Sequence, residues 1–246
     1  NLFTADNDSD NGDLERINYL VEGGDSAWHA GHQALLSFGN KLAYRSSIYG
    51  DRKKLLSAWM VEDMWKTRNI NQPAFMLPAI GQINGGPSGF LFNPGNSFGE
   101  SFNNKFFVNI FMGSSLSTHL RSFDILEQGA GFKTTNDKLF FVGSNCVDME
   151  FGPDGKMYIS EYNHGGFFNQ DVGSIYTLEL SDEINKAEIL KDKKILTSSF
   201  ADKTDEQVYE LLARDHQRIR MRAQFELAKR NESGKALFSR AVKDIS

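Results

Sequence analysis

The sequence predicts a mainly β protein assembled from radial blades and followed by a short α-helical segment. Three observations carry that prediction. Short apolar runs, separated by Gly, Pro, Asn and Asp turns, recur from residue 72 to residue 178. A unit of turn, strand, Gly-rich loop and strand comes twice: Gly86-Pro87-Ser88-Gly89-Phe90 leads into Phe106-Phe107-Val108 and Phe123-Asp124-Ile125, and about 65 residues on Gly152-Pro153-Asp154-Gly155 leads into Tyr158-Ile159-Ser160 and Ile175-Tyr176-Thr177-Leu178. After residue 200 the spacing of apolar residues turns helical. A blade cannot bury both faces of its own sheet, whereas blades stacked around an axis bury one another's faces.

In chain order, residues 1–5 read as the end of a strand, and the Asp/Asn/Gly-rich loop Asp6 to Asp13 follows. Arg16 to Val21 is a short β-like run closed by Gly23-Gly24. Ala34-Leu35-Leu36 and Leu55 to Trp65 suggest a helical insertion on a blade, centred near 50–68. Strand-like runs then come at Phe90–Phe92, Phe106–Val108, Ile110–Met112, Ser122–Ile125, Leu139–Phe141, Val147–Met149, Met157–Ser160 and Ser174–Leu178. Asn93-Pro94-Gly95, Gly113, Gly129-Ala130-Gly131, Pro153-Asp154-Gly155 and Gly165-Gly166 separate them. The β part is expected over 1–200 and the helical part over 203–246. Thr204 with Gln207 fits a capping box, with Val208, Leu211 and Leu212 on one face of the helix that it opens. Ile219, Ala223 and Leu227 recur every four residues on a second. Two such helices look like the first unit of a HEAT-like array, which further repeats would cover.

Composition excludes several classes. Of 246 residues, 40% are hydrophobic and 24% charged, which suits a folded globular chain. A net charge of −5 offers no basic field to a nucleic acid. The arginine series Arg214, Arg218, Arg220, Arg222 and Arg230 is balanced by Asp205, Glu206, Glu210 and Glu226 and reads as a solvated helix face. No apolar stretch approaches the ~20 residues that span a bilayer. The single cysteine, Cys146, excludes an internal disulfide, a multi-cysteine zinc site and a C-x-x-C-H haem attachment, and reads as a small buried hydrophobe. The start Asn1-Leu2-Phe3, already strand-like and without a signal peptide, reads as the interior of a longer protein.

The chain resembles the glucose/sorbosone dehydrogenase (soluble quinoprotein-type) β-propeller family at four places in order. They are the Asp6–Asp13 loop with Asn18; Gly23-Gly24 with Ser26-Ala27-Trp28; Gln72-Pro73, Leu77-Pro78 and Pro87-Ser88-Gly89-Phe90; and Asp148 with Gly152-Pro153-Asp154-Gly155-Lys156-Met157-Tyr158 and Gly173-Ser174-Ile175-Tyr176. Together they cover residues 1–180. The nearest likeness is to large bacterial multidomain proteins that join such a propeller to HEAT repeats and a terminal c-type haem module. The resemblance implies a six-bladed propeller, of which this chain would hold about the second half. It also implies an exported, periplasmic or extracytoplasmic parent. That parent would oxidise a sugar or polyol with pyrroloquinoline quinone (PQQ) and pass electrons to its own haem domain.

The Asp6, Asn7, Asp8, Asp10 and Asp13 cluster can supply the several hard oxygens that calcium takes. It is not an EF-hand, because the glycine comes one position late and position twelve is Ile17. The competing reading is an Asx-rich turn whose side chains cap their own backbone. In the resembling enzymes calcium near this loop assists quinone binding, which places Asn18 on the cofactor side. The family's histidine base lies in an earlier blade, so the catalytic residue is expected outside this chain. His29, His32, His119, His164 and His216 read as structural or surface residues. Where cofactor-binding relatives carry arginines before the aspartate matching Asp148, this chain has Ser144-Asn145-Cys146-Val147, so quinone binding requires a substitute cation such as Arg121. The alternative function is a non-catalytic, calcium-stabilised propeller that binds a glycan or a protein partner.

Overall fold

The structure is a computed structural model that describes residues 1–7, 15–26, 62–95, 97–162, 173–179 and 186–244. Ten strands form three antiparallel sheets among these residues, and four helices follow. The first sheet has the order β1-β2-β3, with β1 Phe3–Asp6, β2 Glu15–Tyr19 and β3 Gly81–Ile83. The second runs β4-β5-β6-β7 in chain order, as Gly86–Phe92, Phe106–Phe111, His119–Gln128 and Gly131–Val142. The third is β8-β9-β10, as Cys146–Phe151, Met157–Tyr162 and Gly173–Leu178. The mainly β class with C-terminal helices is therefore correct.

Meander order follows from the turns, because antiparallel neighbours need only short connections. Gly129, with φ 61°, makes the tight turn of the β6–β7 hairpin. That hairpin pairs from His119↔Val142 to Gln128↔Gly131, with register shifts between Leu120 and Arg121 and between Ser122 and Asp124. The apolar runs Phe106–Val108 and Ile110–Met112 merge into one strand up to Phe111, since β5 continues through Asn109. The echo in the sequence has a different registration from the expected one. Gly86-Pro87-Ser88-Gly89 lies within β4 instead of forming a turn. The counterpart of Gly152-Pro153-Asp154-Gly155, which follows β8, is Asn93-Pro94-Gly95, which follows β4.

The described residues form two compact units. One is Asn1–Phe90 with Phe107–Asp148; the other contains Leu91–Phe106, residues 149–162, and the chain from Gly173 on. In the first, Ile17, Phe107, Val108, Ile110, Leu120, Phe123 and Cys146 are buried. Phe107 packs edge-on against Phe140 with ring centroids 5.0 Å apart. The Thr134 N–H donates to Ile80 O at 2.9 Å, so the turn-proximal half of β7 runs beside the residue that precedes β3.

In the second unit Phe98 and Phe151, both buried, meet edge-on at 5.2 Å. Its helices are α1 Lys186–Leu196, α2 Asp205–Glu210, α3 Gln217–Lys229 and α4 Asn231–Asp244. Thr204 accepts from the Gln207 N–H at 3.3 Å while the Gln207 side chain accepts from the Thr204 N–H at 2.9 Å, which is the expected capping box. Phe200, Val208, Ile219, Ala223 and Leu227 make one buried cluster, with Leu237 and Phe238 against it. Helix α1 starts ahead of the expected change of character after residue 200, and α4 lies within the expected helical part as a helix beyond the two whose spacing the sequence shows. Residues 62–65 form turns, and the remainder of the expected insertion lies outside the described residues.

Candidate functional site

Four consecutive residues of β2, Glu15, Arg16, Ile17 and Asn18, are buried. Three of them are polar, and a polar group is buried at low cost only when it is paired. The register supplies most of the pairs. Asp6 lies opposite Arg16 and Thr4 opposite Asn18, so Asp6, Arg16 and Asn18 share one face of the β1–β2 pair. Arg16 forms a hydrogen-bonded ion pair with the Asp6 carboxylate and donates to Ser26 O at 2.8 Å. Asn18 Nδ2 donates to the same Asp6 oxygen at 3.2 Å. The Glu15 carboxylate accepts from the Gly85 N–H at 3.0 Å. Asn18 Oδ1 is buried without a hydrogen-bond partner.

This geometry assigns Asp6 a definite role, as the counter-ion of Arg16 at the edge of the acidic loop. It fits calcium ligation poorly, because a guanidinium already shares its oxygen and repels a divalent cation there. Asn7 is described, with its Oδ1 near Gly86. Asp8, Asp10 and Asp13 lie outside the described residues. Among the described residues no group of three or more His, Cys, Asp or Glu side chains is arranged to hold a metal ion.

Arg121, the substitute cation, stands on β6 and donates to Asp137 Oδ1 of β7 at 2.8 Å, in a partly exposed pair. Next to it on β6, Asp124 accepts from Asn136 Nδ2 at 2.7 Å. The structure therefore brings Asp6 and Asn18 together and gives Arg121 a partner of its own on the β6–β7 hairpin. Of the histidines, His119 lies 2.8 Å from Ser117 O through Nδ1, and His216 is buried. His29, His32 and His164 fall outside the described residues.

A second buried polar seam surrounds Asn109, in the middle of β5. Its Nδ2 donates to Ser88 Oγ at 2.5 Å and to Cys146 O at 2.6 Å. The Thr118 hydroxyl donates to Asn145 Oδ1 at 3.1 Å and accepts from the Met112 N–H at 3.0 Å. Cys146 is fully buried in this seam, as a small hydrophobe should be. The stretch Ser144 to Cys146 therefore presents neutral hydrogen-bonding groups to this seam.

In the second unit, a hollow of about 220 Å³ is lined by Asp154, Gly155, Lys156, Glu179, Lys186, Ile189 and Leu190. Two of its charged groups have partners: Lys156 pairs with Glu179 at 3.1 Å, which raises the ammonium pKa, and Asp154 accepts from the Tyr158 hydroxyl at 3.0 Å, which raises the phenol's.

The arginine series is not a solvated face. Arg214 pairs with Glu188 and buried Asp192 of α1, and Arg218 holds Glu150 and Phe151 O at the end of β8. Arg222 donates to Leu196 O and Ser198 O while lying over the Phe200 ring at 4.2 Å. Arg230 joins Asp205, Glu226 and Phe200 O. These arginines fasten segments to one another, which a charge count along the chain does not show.

The residues that sequence reasoning missed are Glu15 and Arg16. The available signal was a charged residue alternating with Ile17 inside a β-like run. No family model, curated protein or solved structure matches the chain. No described helix is long and apolar enough to cross a membrane.

Proposed function

We propose that the chain is about half of a six-bladed β-propeller, and that in its parent it is a binding module that presents a blade face to a glycan or protein partner. The blade reading is supported by two successive antiparallel meanders, β4 to β7 and β8 to β10, each with a proline turn after its first strand. The binding reading is carried by one observation. Among the described residues, the charged side chains that quinone chemistry would draw on, Arg121 and Asp6, are already engaged by Asp137 and Arg16. A quinone carboxylate would have to compete with Asp137, which already holds the Nε of Arg121, for that guanidinium. The test uses the full-length protein with added calcium and PQQ. The expected result is no quinone-dependent rise in Tm, no sugar-dependent reduction of an artificial dye, and binding on a glycan array or to an isolated partner. Dye reduction that depends on both quinone and sugar would overturn this reading.

A second reading has its own observation. Asn18 Oδ1 is buried without a partner on the residue that donates to Asp6, and a bound group there would complete the hydrogen bonding. In that reading the parent is an exported quinoprotein-like dehydrogenase that oxidises a sugar or polyol and feeds a haem module of the same chain. Calcium would sit at Asp8, Asp10 and Asp13, with Asp6 serving Arg16 instead. The quinone would supply the redox chemistry and this segment only binding groups. Loss of dye reduction in Asp13→Ala, with the fold retained, would establish it.

A further inference from the structure

The N-terminus of α3 is docked on the turn that follows β4. The Gln217 N–H donates to Pro94 O at 2.5 Å. Gly95 lies so close to the preceding residue, His216, that a Cβ there would stand 3.0 Å from His216 Cα and Cδ2. The turn is rigid on its own account. Asn93, 1% exposed, donates through Nδ2 to Ser97 O at 2.7 Å and Phe102 O at 2.9 Å, and its Oδ1 accepts from the Gly95 N–H at 3.2 Å.

His216 is the N-cap of α3, but its side chain makes no capping bond. It is 6% exposed, and its Nδ1 is buried without a hydrogen-bond partner. The neutral ring tolerates this, with Nδ1 as a bare lone pair and the proton on Nε2. Protonation would put a charged, unanswered N–H in the same place, at the positive end of a helix dipole.

We propose that His216 is a pH-sensitive latch: neutral, it holds the start of α3 on the 93–95 turn, and protonated, it lets that contact open. The charges around it come from α1, from α3 and from the segment that leads into α3. Asp192 on α1 favours the imidazolium, but it is already bound to Arg214. Arg214 itself, with Arg218 and Arg220 on α3, opposes the imidazolium. The described residues of the turn, Asn93, Pro94 and Gly95, carry no titratable side chain. Burial is the largest influence and holds His216 below its ordinary value of 6.5.

The direction of the effect follows. The unfolded or undocked histidine protonates near 6.5 and the docked one lower, so the latch is complete above 6.5 and weakens as pH falls toward the docked value. The experiment is hydrogen exchange of the full chain from pH 8 to pH 5, corrected for intrinsic chemical rates and read by mass spectrometry. Peptides covering 93–103 and 217–224 are expected to open progressively below pH 6.5. One proton limits the steepness to about tenfold per pH unit. His216→Gln should remove that dependence while the Asn109 seam stays protected in both proteins. An NMR titration of the His216 ring in the unaltered chain gives a second readout, with a midpoint expected below 6.5. The latch is refuted by a midpoint at or above that value, by a pH dependence that persists in His216→Gln, or by opening that spreads equally to all buried strands. If His216→Gln does not fold, the ring titration and the wild-type exchange pattern decide.

Discussion

The strand β2 and the C-terminal helices both bury charge, but they do so in opposite ways. In β2 one guanidinium is nearly sealed: the Arg16 side chain is 7% exposed and its partner Asp6 17%. Around the helices other arginines are half-open, such as Arg218 at 34% and Arg240 at 46%, and each reaches more than one acceptor. Arg240, for example, holds both Glu206 oxygens at 2.6 and 2.9 Å and lies 3.9 Å over the Tyr209 ring. A sealed pair is costly to break because the surviving charge has no water to turn to. An open pair leaves a carboxylate that water can serve. The β2 site therefore concentrates its sensitivity in one contact, whereas the helical region spreads it over many.

The largest effect should come from breaking the sealed pair. Arg16→Ala is expected to cost about 3 kcal/mol, the lower end for a stranded buried charge, since Asp6 is partly buried and keeps only Asn18 as a donor among the described residues. The double replacement Arg16→Met with Asp6→Leu should recover most of that loss, because neither charge is then left alone. Urea midpoints of the three proteins check both statements. A double variant as unstable as Arg16→Ala would show that the pair itself, and not the stranded charge, supports the fold.

Comparable in size are the packing contacts of the helices. Leu227 is fully buried, so Leu227→Ala is expected to cost about 2–5 kcal/mol. Gly234, near the start of α4, is a sharper case. Helix propensity alone awards Gly→Ala a gain of about 1 kcal/mol. In this chain an added Cβ would overlap the Leu227 carbonyl oxygen at the α3–α4 junction. Gly234→Ala should therefore lower Tm, and a rise would mean that α4 does not cross so close to α3.

What could be read in the sequence divides along the same line. Ile219, Ala223 and Leu227, spaced by four, are all fully buried, and the capping box at Thr204 forms, because both signals are local. Helix α1 was hidden, since only Ile189 and Asp192 of Lys186–Leu196 are buried and one of these is an acid. Its reason for being buried is Arg214, twenty-two positions away, which no periodicity reports. The middle of β7, Lys133 to Lys138, is polar and largely exposed, so only Leu139–Phe141 had shown as strand. The polar face of β2 was legible as residue types but not as pairs, because Asp6 meets Arg16 only through the β1–β2 register.

A smaller effect tests a local signal by itself. Thr204→Ala removes one half of the capping box and should cost about 1 kcal/mol. The acids of the same first turn add a pH signature. Asp205 and Glu206 are held below their ordinary values by Arg230 and Arg240, so the stability that they lend is complete above the normal carboxylate range and fades as pH falls below it. A pH scan of Tm should slope less steeply at the acid end in Arg240→Ala than in the unaltered chain.

The smallest expected change is the one that bears most on function. Arg121 and Asp137 are 30% and 43% exposed, so Arg121→Ala should shift stability by less than about 1 kcal/mol. If Arg121 only braces the β6–β7 hairpin, the same variant should leave any quinone-dependent change in Tm of the full-length protein as it was. A quinone effect that disappears with Arg121, against an unchanged fold, would mean that the Asp137 pair opens to release a cation to a ligand. That outcome would move the balance from the binding module to the dehydrogenase.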